Sequence, residues 1–229
     1  MEQLSNGFSL NIPSGAFPLS TDSMLLADFA RLPKDATVLD LGSGCGTLGL
    51  LLCAQDPDCC VTGIELDETA HLAALDNIRA NALETRMTSI CADLRRVNQL
   101  ISAGSYSCCI SNPPYFSGGP ASAQIPAARR DDYCPPEDLF LAAAWALKFG
   151  GDFYLVHKPE KLAQLCASAS KAGLEAKRLR LIRHRPNGSV NLILLQCRKG
   201  GKPGLSWEEY CLQNADGTPT PYYRNIYHL

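Results

Sequence analysis

The run Val38-Leu-Asp-Leu-Gly-Ser-Gly-Cys-Gly-Thr47 constrains this chain more than any other. Apolar residues lead into an acid, Asp40, and then into Gly42, Gly44 and Gly46. Such a run reads as a strand turning sharply into a helix over 46–55. Glycine lets the backbone take conformations closed to other residues and lets a ligand approach the main chain closely. A dinucleotide-binding turn has the form G-x-G-x-x-G and grips pyrophosphate at the helix N-terminus. Here the third glycine comes one residue early, and an acid sits inside the strand's end. That arrangement suits a ligand carrying an ammonium and a sulfonium better than one carrying two phosphates.

The remaining sequence repeats the alternation of strand and helix, the mark of βαβ units and a parallel sheet. Strands are expected at 37–41, 60–66, 86–92, 106–111 and 152–157, and helices at 68–82, 136–148 and 159–172. Pro136 with acids in the first turn starts the second of these helices, and Gly150-Gly151 is read as its stop. The segments 174–184 and 190–199 are joined by Pro186-Asn-Gly-Ser189, a hairpin turn, so the last two strands run antiparallel to each other. The fold class is therefore α/β: a seven-stranded, mostly parallel Rossmann-like sheet with a C-terminal antiparallel hairpin. In front, a short strand is expected over 7–12, and Ser20-Thr21-Asp22 caps a helix through Ala30. One domain over 1–229 is expected, with an N-terminal extension at 1–36, a core at 37–200 and a tail at 201–229.

Composition narrows the class of function. A chain of 229 residues with 46% hydrophobic and 19% charged residues folds around a core. There is no leader-like N-terminus and no apolar run of membrane length, so a cytoplasmic protein without membrane contact is expected. The eleven cysteines include the adjacent pairs Cys59-Cys60 and Cys108-Cys109. Neighbours on a strand point to opposite faces, so reduced cysteines serving as small hydrophobes are expected. No C-x-x-C spacing or nearby His pair suggests a metal. The net charge is −2, yet the stretch from Lys171 to Lys202 holds nine Lys/Arg and one acid, Glu175. That basic hairpin is a candidate for phosphate contact.

Three acids close three successive strands: Asp40, Glu65 and Asp93. Open α/β sheets bind ligands in the crevice at these strand ends. Glu65, followed by Leu66, is placed to accept from two ribose hydroxyls, and Asp93, followed by Leu94, from an adenine amino group. After the fourth strand comes Asn112-Pro-Pro-Tyr115. An aryl amino nitrogen is a poor nucleophile because its lone pair is spread into the ring. An Asn side-chain oxygen and the Pro113 carbonyl can accept its two hydrogens. Pro113 and Pro114 stiffen the turn, and Tyr115 offers a face for a flat substrate. Asn112 also borders the cofactor crevice.

The glycine loop with these strand-end acids resembles the class I S-adenosylmethionine-dependent methyltransferases. The resemblance over the whole chain is to the bacterial tRNA1(Val) adenine-N6 methyltransferases. It is carried by Pro18-Leu-Ser-Thr-Asp-Ser-Met-Leu-Leu-Ala27, the glycine loop, Asn112-Pro-Pro-Tyr-Phe116 and Phe153-Tyr-Leu-Val-His-Lys-Pro-Glu-Lys-Leu162. Arg178-Leu-Arg-Leu181 and Arg198-Lys-Gly-Gly-Lys-Pro-Gly204 complete it. The resemblance implies S-adenosylmethionine as cofactor, held by Asp40, Gly42, Gly44, Gly46, Glu65, Leu66, Asp93, Leu94 and Asn112. It implies methylation of an adenosine beside the anticodon, with Asn112, Pro113, Pro114 and Tyr115 holding the base.

A tRNA anticodon loop is the partner so implied. Its contacts would be Phe116 and Arg129-Arg130 near the pocket, and Arg178, Arg180, Arg183, Arg185, Lys199 and Lys202 on the hairpin. Asn-Pro-Pro-Tyr motifs also occur in enzymes that methylate glutamine N5 of release factors. Those carry an additional N-terminal helical domain, and only 36 residues precede the first core strand here. That reading stays open beside a catalytically silent RNA-binding protein of the same fold.

Overall fold

In the computed structural model, residues 2–4, 7–13, 19–114 and 134–227 are described. A two-stranded ribbon, β1 (Glu2–Gln3) with β2 (Ser9–Leu10), comes first. The helix α1 (Thr21–Phe29) follows, its first turn capped by Ser20, which accepts from the Ser23 N–H. Then β3 (Thr37–Leu41), α2 (Thr47–Gln55), β4 (Cys60–Glu65), α3 (Glu68–Ala80) and β5 (Met87–Cys91) alternate. A 3₁₀ turn (Leu94–Arg96) and α4 (Val97–Leu100) lead to β6 (Tyr106–Ser111). Beyond 134 lie α5 (Pro136–Ala146), β7 (Leu147–His157), α6 (Leu162–Lys171), β8 (Leu174–Arg183), β9 (Val190–Lys199), β10 (Ser206–Cys211) and α7 (Pro221–Tyr227).

Eight strands form one sheet in the order β10-β8-β9-β7-β6-β3-β4-β5, and only β9 runs against the others. The parallel strands and the antiparallel hairpin agree with expectation, but the count is eight rather than seven. Ser206–Cys211, expected in a tail, adds an edge strand parallel to β8. Its sequence, Ser-Trp-Glu-Glu-Tyr-Cys, lacks the apolar alternation that marks a half-buried strand. Edge pairing needs only one neighbour, so the ladder forms without it.

Residue alternation sends neighbouring side chains to opposite faces, and each face has its own core. Val38, Cys108, Tyr154, Val156 and Leu194 pack with α1, α2 and α3. Leu39, Cys109, Phe153, Leu155 and Leu195 pack with α5 and α6. Cys108 and Cys109 thus face away from each other, as expected of strand neighbours. All eleven cysteines are free thiols, six of them buried. Edge-to-face rings anchor both layers: Phe29 with Tyr154 at 6.0 Å and Phe140 with Phe153 at 5.3 Å.

The end of α5 differs from expectation. The helix stops at Ala146, and β7 starts at Leu147 without a break, so Gly150-Gly151 lies inside the strand. The terminating partner is Lys199, whose Nζ donates to the carbonyls of Ala144 and Leu147 at 2.6 and 2.8 Å. A cation on the last carbonyls of a helix also meets the negative end of its dipole. Gly151 serves another need: a Cβ there would lie 2.8 Å from the Ser107 carbonyl, where the register between β6 and β7 shifts.

Candidate active site

The C-terminal ends of β3, β4, β5 and β6 line up along one edge of the sheet. Register sets Asp40 opposite Gly63 and Ile110, and Glu65 opposite Cys91. Gly42, Gly44 and Gly46 all have positive φ, at 76°, 54° and 82°, a region that L side chains rarely enter. The loop they build is fastened from the next strand. The Gly42 and Ser43 N–H groups donate to the Ile64 carbonyl, and Gly44 N–H donates to Glu65 Oε2 at 2.7 Å. Glu65 Oε1 accepts from Asp67 N–H. Glu65 therefore shapes the loop as well as facing the crevice. Gly63 keeps room for it, because a Cβ there would come within 2.5 Å of Ser43 Oγ.

Asp40 is the chemically demanding residue. Both its carboxylate oxygens, and Ser43 Oγ, are buried with no hydrogen-bond partner among the described residues. Burial pushes its pKa up to about 8, and the Glu65 carboxylate adds to the rise. A buried carboxyl left without donors costs stability unless something donates to it or brings positive charge. A cationic ligand in the glycine loop meets that need, so these residues fit S-adenosylmethionine.

The other expected cofactor contacts are placed less simply. Leu66, at the end of β4, is 54% exposed and presents an apolar surface beside Glu65. Asp93 caps the 3₁₀ turn by accepting from the Arg95 N–H, and Arg95 Nε donates to both its oxygens at 2.9 Å. The Arg95 bond holds this carboxyl below its usual pKa. The expectation of an Asp93 open to an adenine amino group meets a carboxylate that already has a partner. Leu94, next to it, packs toward the α5 side of the core.

Asn112 follows β6 directly, and the Ser111 hydroxyl before it donates to the Leu41 carbonyl at 2.7 Å, tying the two strand ends together. Its Nδ2 donates to Ser23 Oγ at 3.0 Å. Ser23 is a buried polar residue in the first turn of α1. The N-terminal helix thus orients the carboxamide, turning Nδ2 toward α1 and Oδ1 to the other side of the amide carbon. Ser23 was not among the expected site residues, though it stands in the resemblance motif Pro18–Ala27. Asn77 was missed too: buried in α3, it donates to the Cys45 carbonyl at 3.0 Å and joins the glycine loop to Asn11. Its signal is a polar residue among the inward-facing Ala73, Ala74 and Ile78. Pro113 and Pro114 are half-buried. Tyr115, Phe116, Arg129 and Arg130 lie outside the described residues.

The basic hairpin departs most from expectation. Arg180 is buried, with Nη1 donating to Asp28 and Tyr222 and Nε to Glu208 at 2.7–2.8 Å. Arg183 pairs with Glu209 and the Gly188 carbonyl, Arg185 donates to Gln213, and Lys199 caps α5. Arg178 donates to Gln196 and the Phe29 carbonyl, with its guanidinium 4.2 Å over the Phe29 ring. The Lys202 carbonyl accepts from Lys177. As phosphate contacts beside the crevice, Arg180 and Arg183 are thus corrected: acids from α1 and β10, distant in sequence, neutralise them. The aromatic tail is mixed, with Tyr210, Tyr222 and Tyr227 packed on the core and Trp207 exposed. Among the described residues, no helix is long and apolar enough to span a membrane and no His/Cys/Asp/Glu cluster could hold a metal ion.

Residues 19–165 match the profile of the methyltransferase small domain. The chain is 35% identical over 159 residues to a tRNA1(Val) (adenine(37)-N6)-methyltransferase of Shewanella halifaxensis, covering 69% of this chain and 64% of that one, just under two thirds of its length. To the enzyme of the same name from Aeromonas hydrophila it is 32% identical over 214 residues, covering 91% and 87%. A solved structure from Agrobacterium tumefaciens, described as a predicted O-methyltransferase, superposes with a TM-score of 0.77 at 21% identity, covering 91% and 96%. The geranyl diphosphate C-methyltransferase of Streptomyces coelicolor, bound to S-adenosyl-L-homocysteine, superposes at 0.57 with 12% identity, covering 77% and 78%. These two likenesses speak for the fold. The family profile and the sequence relatives speak for descent: the chain belongs to the methyltransferase small-domain family, among the S-adenosylmethionine-dependent tRNA1(Val) (adenine(37)-N6)-methyltransferases.

Proposed function

We propose that this protein methylates the N6 amino group of an adenosine in tRNA, adenosine 37 in the anticodon loop. The observation that carries the reading is the Asn112 carboxamide, oriented by Ser23 beside a glycine loop that follows an unpartnered, buried Asp40. The relatives' names supply the substrate class.

In this reading Asp40, Gly42, Gly44, Gly46, Glu65 and Leu66 hold the cofactor, with Asp93 and Leu94 at the adenine end. When bound, S-adenosylmethionine supplies an electrophilic methyl group on a sulfonium. Asn112 Oδ1 and the Pro113 carbonyl accept the two amino hydrogens, which draws the nitrogen toward tetrahedral geometry and aims its lone pair. As the new nitrogen–carbon bond forms, the methyl's bond to sulfur would break with its electron pair left on sulfur, and the amino group would release one of those hydrogens as a proton to solvent. Pro113 and Pro114 keep the acceptor fixed, so orientation costs little at the moment of reaction. Tyr115 and Phe116 would offer stacking surface to the flipped base, and Arg129 and Arg130 would clamp a nucleotide near the pocket.

The test is methyl transfer from labelled cofactor to unmodified tRNA and, in parallel, to a release factor, with the products mapped by mass spectrometry. N6-methyladenosine beside the anticodon is expected. Label in the release factor and none in tRNA would overturn the reading in favour of glutamine methylation. The Asn112→Ala variant should bind cofactor as the wild type does and lose most of the transfer.

A further inference from the structure

At the opposite, N-terminal ends of the parallel strands lies a groove of about 670 Å³. Arg31, Lys148, Lys177, Arg178 and Arg198 line it, with Asp152 as the acid among them. That acid is already satisfied: Arg198 grips it through two bonds of 2.9 Å. Arg31 has no side-chain partner among the described residues. Arg178 lies 3.8 Å from Glu208, whose carboxylate belongs more closely to Arg180 at 2.7 Å. Burial first, and then the facing Arg31, lower the pKa of Arg178, and the shared Glu208 offsets this only in part. A chain of net charge −2 thus concentrates an excess of positive charge in one concavity, five Lys/Arg against Asp152, with Glu208 shared between Arg178 and Arg180.

The rim adds an aromatic plane. Phe149 is 83% exposed, yet its ring lies on Gly200, where a Cβ would come within 2.1 Å of it. Gly200 holds φ at +67° there. An exposed ring beside several cations is the combination that binds nucleic acid through phosphate contact and stacking. Ser107 lines the groove and Asn112 opens the candidate active site, so the two lie roughly 15–20 Å apart along β6 at about 3.3 Å per residue. One nucleotide cannot fill both; an RNA several nucleotides long can.

We propose that this groove is a second RNA contact, which takes the phosphodiester backbone of tRNA outside the anticodon loop, with Phe149 stacking on a sugar or base. The inference rests on the tRNA reading above and deepens it. It also relocates the basic hairpin's role: Lys177, Arg178 and Arg198 face the far groove, whereas Arg180 and Arg183 are neutralised at or near the crevice end.

The experiment compares wild type with Arg31→Glu/Lys148→Glu and with Phe149→Ala. Affinities for full-length unmodified tRNA and for an isolated anticodon stem-loop are measured against salt. The charge-reversed variant should bind full-length tRNA at least tenfold more weakly, with a salt slope smaller by about 2. It should keep wild-type affinity and kcat on the stem-loop. Phe149→Ala, which removes no charge, should weaken full-length tRNA binding several-fold with an unchanged salt slope. Equal tRNA affinity in wild type and folded charge-reversed variant, with the wild type methylating tRNA, overturns this inference alone. A wild type that ignores tRNA and methylates release factor overturns the proposed function instead. Binding of ATP lost in the variant while tRNA affinity holds overturns the RNA assignment in favour of a free nucleotide.

Discussion

Replacing Ser23 by alanine tests whether the N-terminal helix sets the chemistry at Asn112. The substitution removes one acceptor, 3.0 Å from Asn112 Nδ2, and leaves the carboxamide free to rotate about its last bond. A single neutral hydrogen bond contributes about 0.5–1.5 kcal/mol net, and about 1.4 kcal/mol is tenfold in rate. Turnover should therefore fall about 2- to 10-fold. KM for cofactor should stay within about twofold of wild type, because no glycine-loop contact is touched. Alanine is the better helix former, and this offsets the lost Ser20–Ser23 contact at the helix start, so Tm should move little. Single-turnover transfer to tRNA, with calorimetric cofactor binding alongside, separates the two effects. Ser23→Thr retains the hydroxyl and should lie between alanine and wild type. In an Asn112→Ala background Ser23→Ala should have no further effect on transfer, since the two residues act as one unit. Wild-type kcat in Ser23→Ala, or full additivity with Asn112→Ala, would refute the reasoning.

Two further outcomes follow from buried charges. With Asp40 raised to about 8 and an unfolded value near 4, the folded chain holds a proton that the unfolded chain has lost between those limits. Stability of the cofactor-free protein should thus fall as pH rises from about 4 to about 8. Asp40→Asn should remove this component of the slope and melt about 5 °C or more above wild type at pH 9; parallel Tm profiles for the two proteins would contradict the burial argument. Arg180→Ala leaves Asp28 and Glu208 without their shared cation. Breaking a buried pair costs about 3–5 kcal/mol, discounted to about 2–4 because these acids are 28% and 33% exposed. Tm should fall by about 5–15 °C, and a change within 2 °C, read by calorimetry, would show that the network does not hold α1 to the sheet.

What the linear chain settles by itself is what depends on near neighbours. Positive φ at Gly42, Gly44 and Gly46, the alternation that sends Cys108 and Cys109 to opposite cores, and the antiparallel pairing of β8 with β9 all follow from residue type and local spacing. The turn between those strands closes around Pro186-Asn187, from Gly188 N–H to the Arg185 carbonyl, and not around the expected Asn-Gly pair. The crevice acids Asp40 and Glu65 could be found for the same reason, since strand ends are local features. Helix ends were harder. The Gly150-Gly151 pair looks like a stop, but the ammonium of Lys199 donates to the carbonyls at the end of α5 from 52 and 55 residues away.

Pairing across the fold was decided only in three dimensions. Arg180 looks like a phosphate ligand until Asp28, 152 residues distant, is set against it. Ser23 becomes a support for Asn112 only when α1 packs 89 residues back onto the end of β6. β10 joins the sheet through a parallel partner that its polar pattern does not announce. Periodicity tells a side chain which face it takes; which charge, donor or strand stands opposite depends on the topology of the sheet. For that reason the glycine loop could be read from the sequence, while the groove of Arg31, Lys148 and Arg178 emerged only from the folded chain.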